Sequence, residues 1–126
     1  MEGQNIKGNK GEEEVIRFDT PPSMYWNDIT KVNHLQRKIL LCSITYYKLN
    51  DSCMSDFEYD SISKQLVGMQ KEMEKSRLKQ TMYYYVFKDF EGSTGFDLIG
   101  KLKKEDYDYL FGLALYLLRC YKSKEG

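Results

Sequence analysis

From Ile29 to Tyr47 the apolar residues recur at three- and four-residue steps, through Val32, Leu35, Ile39, Leu40 and Ile44. That period belongs to one face of an α-helix. Asn27 or Asp28 can cap its start, and Asn50-Asp51-Ser52 is a turn signal that stops it near Leu49. A second period follows almost at once, through Ile62, Leu66, Met69 and Met73. Ser55 opens it, with Glu58 three residues on, the capping-box pattern in which hydroxyl and carboxylate each accept from the other residue's amide. This helix should end around Lys75 or Arg77. Two long helices joined by so short a turn should form an antiparallel hairpin.

The hairpin, residues 27–77, therefore predicts a mainly α chain. Residues 78–126 should complete the same domain, so that 25–126 form one helical unit, with residues 1–24 as a flexible or extended arm. Met1 to Glu14 are rich in Gly, Lys and Glu, Val15 to Phe18 suit a short extended piece, and Pro21-Pro22 forbid a helix until after them. Met82 to Phe87 are aromatic and β-branched, a composition open to either a strand or a helix. Phe90 to Phe96, with two glycines, reads as a loop. The segment from about Lys104 to Tyr121 reads as a strongly apolar helix, expected to form the centre of the core.

Composition excludes more than it identifies. Lys+Arg and Asp+Glu are both 19, so there is no net field to collect nucleic acid, and direct nucleic-acid binding is not expected. Three cysteines and one histidine, without CxxC spacing, cannot supply a standard zinc site, so no metal is expected. Cys42 and Cys120 read as small buried hydrophobes and Cys53 as an exposed loop thiol, all reduced. The run Leu110 to Leu118 is far short of the ~20 residues of a membrane span. With no signal-peptide pattern at the N-terminus, a soluble cytoplasmic protein without a membrane partner is the expectation.

The chemistry concentrates in Tyr46 to Asp60. Tyr46 and Tyr47 end the first helix, while Asp56, Tyr59 and Asp60 share a face in the first turn of the second. Aromatic planes with carboxylates between them suit a flat, hydroxylated, partly cationic ligand. Taken singly, each tyrosine reads as a core aromatic and each aspartate as a helix N-terminal acid; the set at this spacing is the specific signal.

Elsewhere the signals are weaker. His34 lacks a second ligand nearby, and Gly92-Ser93-Thr94-Gly95 lacks the lysine of a P-loop and reads as a tight loop. Tyr83-Tyr84-Tyr85 has no basic neighbours and reads as core or interface rather than a base-stacking platform. One histidine on the wrong segment leaves no Ser-His-Asp or Cys-His arrangement.

The segment Tyr46-Tyr47 followed by Ser55-Asp56-Phe57-Glu58-Tyr59-Asp60 and Leu66 resembles the N-terminal Ia subdomain of NAD-dependent bacterial DNA ligases, over roughly residues 30 to 75. Beyond it, Phe90 to Leu98 resembles a recurring stretch of small phage-encoded ligase-related proteins. The resemblance implies a ligand, nicotinamide mononucleotide (NMN) or the NMN half of NAD. It implies that Tyr46 and Tyr59 sandwich the nicotinamide ring, whose charge favours an aromatic face. Asp56 and Asp60 would accept hydrogen bonds from the ribose hydroxyls, and Tyr47 would stand near the phosphate, where many ligases have a histidine.

Two departures limit what carries over. The family's D-x-P turn is replaced by Asn50-Asp51-Ser52. No K-x-D-G motif occurs, so there is no lysine to take up AMP, and no room for the remaining ligase domains. The expectation is a nucleotide-binding module that is not an enzyme. The alternative is a phage interaction protein, with tyrosines suited to an interface, that binds and inhibits a host defence protein in the bacterial cytoplasm and uses the hairpin only as scaffold.

Overall fold

A computed structural model describes residues 26–92 and 95–125. The chain is mainly helical, in the order α1 (Asp28–Lys48), α2 (Asp56–Glu72), α3 (Lys75–Leu78), α4 (Tyr84–Phe87), α5 (Gly95–Lys101) and α6 (Lys104–Glu125). The arm expected over 1–24, with its extended piece at 15–18, lies outside the described residues.

The first helix starts where its cap predicts: the Asn27 side chain accepts from the Thr30 amide at 2.9 Å. It ends in a reversal. Asn50 takes a φ of 55°, a left-handed conformation that Asn tolerates better than most residues, and the Asp51 amide reaches back to the Thr45 carbonyl at 3.0 Å. The loop is thus folded onto the end of α1. Ser55 then opens α2 with a complete capping box: its hydroxyl accepts from the Glu58 amide at 3.1 Å and its own amide donates to the Glu58 carboxylate at 3.2 Å. The hairpin has the expected antiparallel form, but α2 stops at Glu72 and the separate turn α3 follows.

The centre of the core is α1, not the last helix. Val32, Leu35, Ile39, Leu40 and Ile44 are buried, and every residue from Ile39 to Thr45 is enclosed. It packs against α2, α5 and α6. Among the described side chains of α6, the buried ones are Leu110, Ala114 and Leu118, one row at four-residue spacing. Its other apolar residues include tyrosines, whose polar tips let them stand at the surface. Met82 to Phe87 contain no strand: Tyr84 to Phe87 form the helical turn α4, which inserts Val86 and Phe87 into the core. Phe90 to Phe96 are not all loop either, since α5 begins at Gly95.

A buried amide network sets the register between these parts. Gln36 on α1 donates to Gln70 of α2 at 3.2 Å and to the Thr81 hydroxyl at 3.3 Å. Its oxygen accepts from the Tyr83 amide at 3.1 Å, while Gln70 donates to the Phe87 carbonyl at 3.1 Å. The connection between α3 and α4 is therefore held by side chains rather than by a ladder, which is why propensity does not reveal it. At one end of the hairpin Arg77 grips the Asp28 carboxylate with Nε and Nη2, and this pairing holds the Asp28 carboxyl below its usual range.

Candidate functional site

The turn after α1 brings Tyr46 and Tyr47 across from the first turn of α2, and a cavity of about 240 Å³ opens between them. Tyr46, Tyr47, Asp56 and Tyr59 all line it. Asp60 does not. Successive helix residues are ~100° apart, and the step from Tyr59 to Asp60 turns that carboxylate onto the exposed face, where it pairs with Lys64 at 3.1 Å. The two carboxylates thus have different surroundings, although sequence spacing puts them together.

The aromatic residues are graded from mouth to floor. Tyr46 is 60% exposed; its ring meets that of Tyr47 edge to face at 4.8 Å, and Tyr47 in turn meets Phe96 at 5.4 Å. Lys48 lies 6.0 Å from the Phe96 ring centre. Tyr59 points inward, and burial pushes its phenol up from the ordinary value. Its hydroxyl sits beside those of Ser43 and of Ser63, on the next turn of α2, without a hydrogen bond of normal geometry to either. A flat ring entering the cavity meets Tyr46 at the mouth and Tyr59 deeper in.

Three wall elements were not foreseen. Gly95 brings the start of α5 against the cavity floor: a Cβ there would stand 2.8 Å from the Tyr59 hydroxyl. Ser43, one turn before Tyr47 and turned inward, is the second. The third corrects the expectation of reduced cysteines. Cys42 and Cys53 form a disulfide, with Cα atoms 5.7 Å apart. Because the loop folds back over the end of α1, Cys53 is 1% exposed rather than open to solvent. The only early sign of Gly95 was its place in a short Gly-Ser-Thr-Gly stretch; Ser43 and the cysteine pairing gave none, since an 11-residue separation in sequence becomes a contact only through this turn.

Chemically the cavity offers aromatic faces, hydroxyls and one carboxylate, Asp56. Its two cysteines are bonded to each other. Among the described residues no group of three or more His, Cys, Asp or Glu side chains gathers to hold a metal, and no helix is long and apolar enough to cross a membrane. Compared with known proteins, the chain matches no family model, no curated protein and no solved structure.

Proposed function

We propose that this chain is a small helical module that binds nicotinamide mononucleotide, or the NMN half of NAD, without ligase activity of its own. The observation that carries the reading is the shared cavity of Tyr46, Tyr47, Asp56 and Tyr59. Its size supports the choice of half a dinucleotide. About 240 Å³ exceeds the ~150 Å³ that encloses a benzene ring, and falls below the ~300 Å³ at which pockets begin to take drug-sized ligands. A ring and part of a ribose fit; an adenylate half would lie outside.

In this reading the nicotinamide ring enters between Tyr46 and Tyr59, where aromatic faces favour its positive charge. Asp56 accepts from the ribose hydroxyls, and Tyr47 can donate one neutral hydrogen bond to the phosphate. The module presents or sequesters the nucleotide, since its lining contains no nucleophile paired with a base.

Calorimetry with NMN, NAD and AMP tests this. Heat is expected with the first two and not with AMP, and Tyr59→Ala or Asp56→Ala should weaken binding at least about tenfold. Absence of heat at millimolar NMN overturns the reading. Asp60→Ala separates the carboxylates: a loss equal to that of Asp56→Ala places both at the ribose, whereas unchanged affinity leaves Asp56 alone.

A second reading rests on the rim. Phe57 is 82% exposed, and Tyr46 and Phe96 are exposed as well, the kind of aromatic surface that anchors protein interfaces. It would make the chain a phage interaction protein directed at a host defence protein. Capture from bacterial lysate should then return one stoichiometric partner, lost with Phe57→Ala; wild-type protein that returns none removes this reading.

A further inference from the structure

The outward face of α6 carries a pattern that the cavity does not use. Glu105, Tyr109, Gly112, Tyr116 and Arg119 are all exposed, the tyrosines at 57% and 62%. Their spacing of four, three, four and three residues is the seam spacing of paired helices. At ~100° per residue this seam lies on the side of α6 opposite Leu110, Ala114 and Leu118, which face the core.

Two properties point to a particular occupant. The seam is symmetric in character about Gly112: an aromatic residue on each side, then an acid toward the N-terminus and a base toward the C-terminus. Reversed and laid on itself about Gly112, it places Glu105 opposite Arg119, and Tyr109 within one residue, about 1.5 Å along the axis, of Tyr116. A glycine inside a helix costs about 1 kcal/mol relative to alanine, yet a Cβ at Gly112 would meet nothing within 4 Å in its own protomer. The seam is therefore open at this point, and the absence of a side chain there allows a second helix to approach closely.

We infer that α6 is a homodimerisation surface, pairing antiparallel with α6 of a second copy about a two-fold axis through Gly112. The contact is isologous, so each Glu105–Arg119 pair occurs twice. One helix against one helix is a small interface, so the dimer is a weak and reversible one. The surface is distinct from the cavity, and the inference does not depend on what the cavity binds.

Sedimentation velocity on the full chain across about 1 µM to 1 mM tests it, with circular dichroism to show that each variant is folded. Wild type should pass from monomer to dimer. Glu105→Arg alone sets arginine against arginine, and Arg119→Glu alone sets glutamate against glutamate; each should weaken association at least about tenfold. The double variant restores both pairs and should return to within about threefold of wild type. Tyr116→Ser should lose the dimer while keeping the fold. A chain that stays monomeric at every concentration overturns the inference, whatever else then covers the seam. A dimer that the single charge reversals leave intact, or that the double reversal fails to restore, overturns it equally.

Discussion

Gly95 backs onto Ser43 so closely that a Cβ built on the glycine would stand 1.9 Å from the serine Oγ and 2.8 Å from its Cβ. Rotating the hydroxyl away removes only the first clash. Gly95→Ala must therefore push α5 off the end of α1, at a cost of about 1–3 kcal/mol, the usual penalty for overpacking. Chemical denaturation measures this, and Ser43→Ala in the same chain should recover only part of the loss because the 2.8 Å contact remains. The affinity for NMN should fall with the displaced wall.

Tyr59 offers a sharper separation of ring from hydroxyl. Its buried hydroxyl lies beside the Ser43 and Ser63 hydroxyls without a hydrogen bond of full geometry, so Tyr59→Phe should change stability by less than about 1 kcal/mol. NMN binding should survive, since the ring face is retained. Tyr59→Ala, in contrast, removes the aromatic wall. If phenylalanine abolishes binding in calorimetry, the hydroxyl, and not the ring face alone, contacts the ligand.

The disulfide between Cys42 and Cys53 closes a loop of 11 residues in separation. Chain-entropy arguments give such a crosslink about 2–3 kcal/mol. Urea unfolding with and without a reductant should show a midpoint difference of that size, and Cys53→Ser should behave as the reduced protein does. Thiol counting on the native chain is the direct control, with Cys120 as the single free cysteine expected.

At high pH the vulnerable point is Tyr85. Its hydroxyl donates to Asp106 and accepts from the Lys103 amide at 3.1 Å, with the Lys103 ammonium 4.9 Å from the ring centre. Burial, then the Asp106 carboxylate, push the phenol up to about 12. The folded value lies above the ordinary 10.0. This contribution is therefore complete below about pH 10 and is lost as the pH rises from there through about 12. Tyr85→Phe should flatten that part of the stability–pH curve. At neutral pH it should cost about 1 kcal/mol, the usual net contribution of one hydrogen bond.

The hairpin was legible in the sequence because each of its signals is local. The period of α1, the Asn50 turn and the Ser55–Glu58 box act within a few residues, and they alone bring Tyr46, Tyr47, Asp56 and Tyr59 around one cavity. Asp60 shares their spacing but not their surroundings, a difference decided by which side of α2 the partner helix covers. Helices α3 to α5 have four to seven residues, too few to display a period, and are held by distant groups such as Gln36 and Gln70. The role of Gly95 is likewise a matter of approach between elements far apart in the chain. The rank of the two long helices is hidden for a related reason: apolar content alone does not distinguish a helix enclosed on all sides from one that lines its outer face with tyrosines.

The amide network at Gln36 carries a consequence for the cavity. Ten residues of continuous helix separate Gln36 from Tyr46, about 15 Å along the axis of α1. A rigid helix transmits rotation undiminished over that length, and Gln36 is clamped by Gln70, Thr81 and the Tyr83 amide. Gln36, buried and about three turns from the cavity, thus helps to set the azimuth at which both tyrosines face it. A small turn of α1 there would swing Tyr46 and Tyr47 together, and the cavity would open or close as a whole rather than one side chain at a time.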